Sequence, residues 1–329
     1  MVSIKDVAEH AGVAISTVSK VLNNYPYISE ATKKKVRESI HALNYVPNTI
    51  AAALSSKQAG RAALIISLNN QTQAIDEITM QYLAGAISRA MELNIEVITI
   101  FFSMIQHMSA EEMIRYFQSQ GISGLLICAM NKDDTNLQQL VESQVFKCVL
   151  VDAPITNQCT SSVGIDHEQA QYDVAKKTIE DNTCKRVLYI AGKRNGYVTD
   201  ERLSGMYRLV KDLNLTMMIR DGNFSELKAR QIAFRYAKNK DVVVCASDLM
   251  AIGAMNALTE MDIFRPVCGF DGITLMGYVG KQMNTIYQNF HHVAAEAVTE
   301  LARLFKGEQG QKVMLDHKIV RMEYKDIIR

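Results

Sequence analysis

The sequence predicts an α/β protein: an N-terminal three-helix, helix-turn-helix headpiece, then a larger core of two subdomains with parallel sheets. Three observations carry that prediction. The chain has 329 residues, too many for one small core, which implies two or three domains. Its first sixty residues read as short amphipathic helices around a glycine turn. The remainder alternates apolar runs of strand length with helix-length amphipathic stretches, and the alternation runs through twice.

The headpiece comes first. Ser3 can cap a helix over Ile4–Ala11, with Asp6 placed to reach back as in a capping box. Val7, Ala8 and Ala11 share one face, and Gly12 stops the helix. A second helix over 16–22 turns Val18, Val21 and Leu22 inward and Ser16, Thr17, Ser19 and Lys20 outward. Asn23-Asn24-Tyr25-Pro26 breaks it. Ser29 caps a third helix over 30–43, with Val36, Ile40 and Leu43 inward. Short helices joined by a tight turn make a helix-turn-helix, and the outer face of the second suits major-groove reading. Ser and Thr hydroxyls donate and accept, and Lys reaches guanine acceptors.

Charge is unevenly placed. Residues 1–58 carry seven basic against four acidic side chains, a surplus of +3 that leaves −2 for the rest of a chain whose net charge is +1. A basic head on a slightly acidic body fits phosphate binding at one end. The run Lys33-Lys34-Lys35 is compatible with that role or with a solvated helix face.

In the core, strands are predicted over 62–67, 95–101, 124–129 and 148–152, interleaved with helices over 78–93, 110–120 and 134–144. The rhythm restarts with strands at 186–191, 216–219, 241–245 and 267–269 and helices at 201–213, 225–238, 249–260 and 274–281. Residues 316–329 read as a closing strand and a short tail without a leucine heptad.

Several function classes are excluded. No apolar run approaches the roughly 18 residues that span a bilayer, and no basic-then-apolar leader opens the chain, so a cytoplasmic protein without membrane contact is expected. The six cysteines are scattered and form no C-x-x-C pair, which predicts buried free thiols and no metal site. No nucleophile elbow, Walker loop or ligand cluster is present, and no cofactor is expected. His291-His292 reads as surface or interface, and the adjacent Asp166, His167 and Glu168 point to different sides of any regular element. The chain is not expected to be an enzyme.

The runs Ile4-Lys5-Asp6-Val7-Ala8-Glu9-His10-Ala11-Gly12-Val13, Ser16-Thr17-Val18-Ser19-Lys20-Val21-Leu22-Asn23 and Ala42-Leu43-Asn44-Tyr45-Val46-Pro47-Asn48 resemble the headpiece of the lactose/galactose-repressor (LacI/GalR) family. The resemblance implies a transcriptional regulator that binds double-stranded operator DNA. Ile15, Ser16 and Lys20 would face base edges. Thr17, Ser19, Asn23 and Tyr45 would hold phosphates. Asn48 would open a hinge over 48–55, and Leu54 would wedge into the minor groove and kink the duplex. Two departures stand out: Ala14 replaces the family's usual Ser, weakening the cap of the recognition helix or shifting it to Ser16, and Ala51-Ala52-Ala53 lacks the basic residues common beside the hinge leucine.

For the whole chain the resemblance implies a headpiece over 1–46, a hinge helix and linker over 47–60, and a periplasmic-binding-protein-like core over 61–329. The first subdomain would take 61–158 and 284–315 and the second 159–283 and 316–329, with a ligand in the cleft between them. Arg202, Phe224, Ser247 and Asp271 fall on the family's effector-site landmarks. Arg202 with Asp271 would grip adjacent hydroxyls, as a sugar or sugar phosphate offers, or simply tie two elements together. Phe224 would supply a stacking face, and Asp248 reads as a helix cap. The segment after the first strand, with Asn69, Gln71 and Gln73, lacks the aromatic of sugar-responsive members, Ser247 stands where many place Asn, and the chain has no Trp. A core unresponsive to sugars and governed by a partner protein is therefore the alternative. A homodimer reading a palindrome is expected, through helices near 81–93 and 249–258.

Overall fold

The computed structural model describes residues 2–22, 25, 27–45, 60–67, 77–128, 130–278 and 283–321. Met1–Gln58 and Ala59–Arg329 form two compact units.

In the first unit, α1 (Ile4–Ala11), α2 (Ile15–Leu22) and α3 (Glu30–Ala42) enclose a small core. The capping box at Ser3 is complete: the Ser3 amide donates to Asp6 Oδ2 at 2.7 Å and the Asp6 amide donates to Ser3 Oγ at 3.4 Å. Gly12 ends α1 at φ 65°, a left-handed conformation that a Cβ would penalise. Val7 and Ala8 of α1, Val18 and Val21 of α2 and Val36 of α3 are buried together, with Ile4, Leu22, Ile40 and Tyr45 packed around them. Ser39 is also buried. Its hydroxyl meets His10 Nδ1 at 3.0 Å and donates to the Lys35 carbonyl, tying α1 to α3. α2 starts one residue earlier than the sequence predicts. The amides of Thr17 and Val18 both donate to the Ala14 carbonyl, so Ser16 sits inside the helix instead of capping it.

The second unit holds two six-stranded sheets. The first joins β1 (Arg61–Ile66), β2 (Glu96–Phe101), β3 (Gly124–Cys128), β4 (Lys147–Val151), β5 (Thr160–Ile165) and β11 (Lys312–Leu315) in the order β11-β5-β4-β3-β1-β2, parallel throughout. The second joins β6 (Arg186–Ala191), β7 (Thr216–Asp221), β8 (Val242–Cys245), β9 (Val267–Cys268), β10 (Asn284–Tyr287) and β12 (Lys318–Arg321) in the order β12-β10-β9-β8-β6-β7, with only β12 antiparallel to its neighbour. The central strands are near-continuous apolar runs because helices cover both faces. On the first sheet, α4 (Glu77–Glu92) and α12 (Phe290–Phe305) cover one face. The short α5 (Phe102–Ile105), α6 (Ala110–Ser119) and α7 (Thr135–Glu142) cover the other. On the second, α8 (His167–Glu180) packs on α9 (Tyr197–Asp212), and α10 (Glu226–Tyr236) on α11 (Asp248–Glu260). Gly85 lets α4 approach α12 closely: a Cβ there would lie 2.0 Å from the His291 carbonyl oxygen.

The chain passes between the halves later than the sequence suggests. β5 still belongs to the first sheet and β10 to the second, so the expected boundaries at 158/159 and 283/284 each fall before a strand that has not yet left its sheet. The helices α8 and α12 were not expected, and the described part of the predicted helix over 274–281 is a 3₁₀ turn at Thr274–Tyr278, the rest lying outside the described residues.

Candidate functional site

Two groups of residues carry chemistry. The first lies on α2. Burial of Val18 and Val21 fixes the roll of the helix, leaving Ile15, Ser16 and Lys20 exposed and Thr17 and Ser19 half-buried. Ile15 is 48 % exposed. It suits apolar contact with a thymine methyl, and Ser16 and Lys20 supply polar reach beside it. Tyr45 is half-buried against the headpiece core with its amide donating to the Ile40 carbonyl. Lys33 of the basic run is paired with Glu30 at 2.7 Å. The expected Asn23, Asn48 and Leu54 lie outside the described residues, as do Asn69, Gln71 and Gln73.

The second group lies at strand ends of the core. Arg202 projects from α9 and is 4 % exposed. Its guanidinium stacks on the Phe270 ring at 3.6 Å from the centroid. Nη1 donates to the Ala246 carbonyl at 2.5 Å, Nε to His167 Nδ1 at 3.4 Å, and Nη2 faces Asp271 Oδ1 at 3.5 Å. Since His167 Nδ1 accepts, its Nε2–H is the donor to Asp152 Oδ1 at 2.9 Å. Asp152 directly follows β4, at φ 60°, and also accepts from Tyr82 of α4 at 3.3 Å. Gln288 donates to Asp271 at 3.2 Å. The row Tyr82–Asp152–His167–Arg202–Asp271 thus links the two halves.

The two carboxyls titrate in opposite senses. Burial alone would raise Asp152, but the bonds from His167 and Tyr82 and the Arg202 charge hold it below the usual carboxylate range. At Asp271 burial wins over the Arg202 charge and pushes the pKa to about 7.

The predicted effector residues are only partly brought together. Arg202 and Asp271 are adjacent. Phe270 lies under the guanidinium. Phe224 is half-buried, with its ring against the backbone of Gly192. Ser247 is the true cap of α11, accepting from the Met250 amide at 3.3 Å. Asp248, read as that cap, instead accepts from the amides of Gly272 and Ile273 at 2.7 and 2.9 Å and pairs with the Thr285 hydroxyl at 2.6 Å. His167, Asp152 and Phe270 were missed; a strand-end aspartate was the available signal for Asp152.

α4 turns Met80, Ala84, Ile87 and Met91 to solvent along one face, with Met91 75 % exposed. α11 is otherwise: Ile252, Met255 and Leu258 are buried within the chain. The helix at 249–258, expected to join a dimer interface, packs within the chain against α10. Among the described residues no group of three or more His, Cys, Asp or Glu could hold a metal, and no helix is long and apolar enough to cross a membrane.

The family model for bacterial regulatory proteins, lacI family, matches residues 3–48. That for a periplasmic binding protein domain matches residues 66–309. The HTH-type transcriptional repressor PurR of Vibrio vulnificus is 27% identical over 323 residues, covering 95% of this chain and 94% of that protein. PurR of Photobacterium profundum is 25% identical, covering 99% and 100%. Among solved structures, the lac repressor dimer bound to operator and the anti-inducer ONPF superposes with a TM-score of 0.79 at 23% identity, over 98% of this chain and 99% of that one. The transcriptional regulator CelR–cellobiose complex gives 0.69 at 24% identity, over 98% and 100%. At such identities these structures establish the fold.

Proposed function

Because the chain belongs to the lacI family of bacterial regulatory proteins, we propose that it is a transcriptional repressor that reads a palindromic operator as a homodimer and is tuned by a small molecule in the cleft of its core. The observation that carries this reading is the exposed row Ile15, Ser16 and Lys20 on a helix whose opposite face is locked into the headpiece core. Those three side chains read base edges, while Thr17, Ser19, Asn23 and Tyr45 hold phosphates and set the register. Asn48 begins the hinge and Leu54 wedges the minor groove. One headpiece reads a half-site, and the outward stripe Met80, Ala84, Ile87 and Met91 of α4 supports pairing of two copies.

Arg202 and Asp271 side by side suit the neighbouring hydroxyls of a sugar or sugar phosphate, and Phe224 and Ser247 complete the proposed effector set. A second reading, control by a partner protein or another metabolite, is favoured by one observation: Ala246, His167 and Asp271 already engage the guanidinium nitrogens of Arg202. The test is selection of bound sequences from a random duplex pool with the full chain at near-physiological salt. An enriched inverted repeat with a deformable central step is expected. No enrichment, with or without candidate sugars, would remove the proposal.

A further inference from the structure

The two halves of the core meet at a second place, away from the Arg202 cluster. The loop after β3 carries Asn131, Lys132 and Asp133. The loop after β6 carries Asn195 and Gly196 and runs into α9 at Tyr197. The two loops pair as a short antiparallel bridge between Asn131 and Gly196, with the Lys132 amide donating to the Asn195 carbonyl at 2.9 Å. Asn195 adopts φ 60°, which its short polar side chain tolerates. Its Nδ2 donates to both oxygens of Asp133 at 3.1 Å. Lys132 Nζ forms an ion pair with Asp200 and lies 5.4 Å from the centre of the Tyr197 ring. Tyr197 belongs by sequence to the second half, yet its ring packs against the apolar core of the first, and its hydroxyl accepts from Gln138 of α7 at 3.2 Å.

An exposed ion pair alone would hold little. A backbone bridge, a two-toothed amide–carboxylate contact and an aromatic ring seated in the opposite core together are a different matter, because they share one geometry and form or break as a unit. On another part of the same junction, Glu77 of α4 accepts from the Thr274 amide and hydroxyl, at 2.9 and 2.7 Å. The contacts are made wholly by groups of this chain.

We propose that residues 131–133 and 195–200 form an intramolecular latch, with the Tyr197 ring as its bolt, that holds the two halves of the core closed. The closed arrangement is then the resting state, and whatever regulates the core acts by releasing the latch. The proposal rests on the reading above, in which the angle between the halves governs the headpieces.

Hydrogen exchange on the full chain tests it. In the unsubstituted protein, peptides covering 130–134 and 192–200 should be protected. Tyr197→Ala should speed their exchange at least tenfold while peptides from β3 and β6 stay protected, which separates opening from unfolding. Tyr197→Phe, which keeps the ring, should leave exchange within about twofold. Lys132→Ala combined with Asn195→Ala should open the same peptides without touching the apolar seat. Small-angle scattering should show a larger radius of gyration in each opened variant. Unprotected latch peptides in the parent, or protection unchanged in Tyr197→Ala, would overturn the latch. Opened peptides with unaltered operator affinity would support the latch and instead overturn its coupling to DNA binding.

Discussion

Asp248 is a fully buried acid at the start of α11, and its replacement discriminates sharply between a charged and a neutral role. One oxygen accepts from the amides of Gly272 and Ile273, and the other meets the buried Thr285 hydroxyl. Burial, aided by the nearby Asp271, raises its pKa well above the usual carboxylate range. All three partners donate to the carboxyl, two amides to one oxygen and the Thr285 hydroxyl to the other; a neutral acid fits the same site once the Thr285 hydroxyl turns to accept its proton. Asn has the same shape and the same division of acceptor and donor. Asp248→Asn should therefore cost no more than about 1 kcal/mol. Asp248→Ala strands the Gly272 and Ile273 amides and the Thr285 hydroxyl. At roughly 1–3 kcal/mol per buried unsatisfied group, and with Gly272 retaining a 3.3 Å bond to Thr285 and Ile273 only half-buried, the loss should be about 3 kcal/mol. Urea unfolding at pH 7, followed by circular dichroism, measures both. Equal losses in Asn and Ala would show that the ionised carboxylate is what the site requires, refuting the neutral-acid account. An undamaged Ala variant would refute the role of the side chain altogether.

Asp271 gives a prediction in pH. Its folded pKa of about 7 exceeds the ordinary carboxyl value of 3.8, so between those values the folded state holds a proton that the unfolded chain has lost. Stability from this group is present at low pH and falls as pH rises from about 4 to about 7, by about 2–4 kcal/mol. Asp271→Asn should make that slope shallower in denaturant titrations across the window, with Asp248 still contributing in the same sense, whereas an unchanged slope would place the titration elsewhere. Gly85→Ala forces a methyl group to within 2.0 Å of the His291 carbonyl oxygen, so α4 and α12 must separate. A loss of about 3 kcal/mol is expected in thermal unfolding, and a neutral result would mean that the helices pack less closely. Ile87→Lys with Met91→Lys places charges on the exposed stripe of α4 and should yield monomers in sedimentation at micromolar concentration with the fold intact. A persistent dimer would assign the interface to another surface.

The headpiece was legible because its signals are local. Ser3 with Asp6, the stop at Gly12 and the 3–4 spacing of Val18, Val21 and Leu22 each act within one turn, and tertiary context did not override them. Strands such as β1 and β6 were legible as unbroken apolar runs. β5 was not: Thr160, Ser161 and Ser162 look like a loop, yet they are buried in a strand, where Glu300 of α12 and the Ala153 carbonyl meet the two serine hydroxyls. The polar sequence of α8 hid a helix whose buried face is held by α9. At the core site, the closeness of Arg202 and Asp271 followed from the family resemblance. The partners that decide their chemistry did not, because they converge from separate strand ends: Asp152 after a left-handed turn, His167 at the start of α8 and Phe270 beyond β9. The cap of α11 was misassigned by a single residue, to Asp248 in place of Ser247, a distance below the resolution of any periodicity argument.

The most direct test of the central claim is the affinity of Lys20→Ala for the enriched operator and for its single-base variants, beside the parent at one fixed salt concentration. If α2 reads base edges, the substitution costs roughly 1–3 kcal/mol on the operator and erases discrimination at one base pair in each half-site, leaving the other positions unchanged. An equal loss on every sequence, with discrimination intact, would make Lys20 a phosphate contact. Retention of full affinity and full discrimination by both Lys20→Ala and Ser16→Ala would contradict the assignment of α2 as the reading helix.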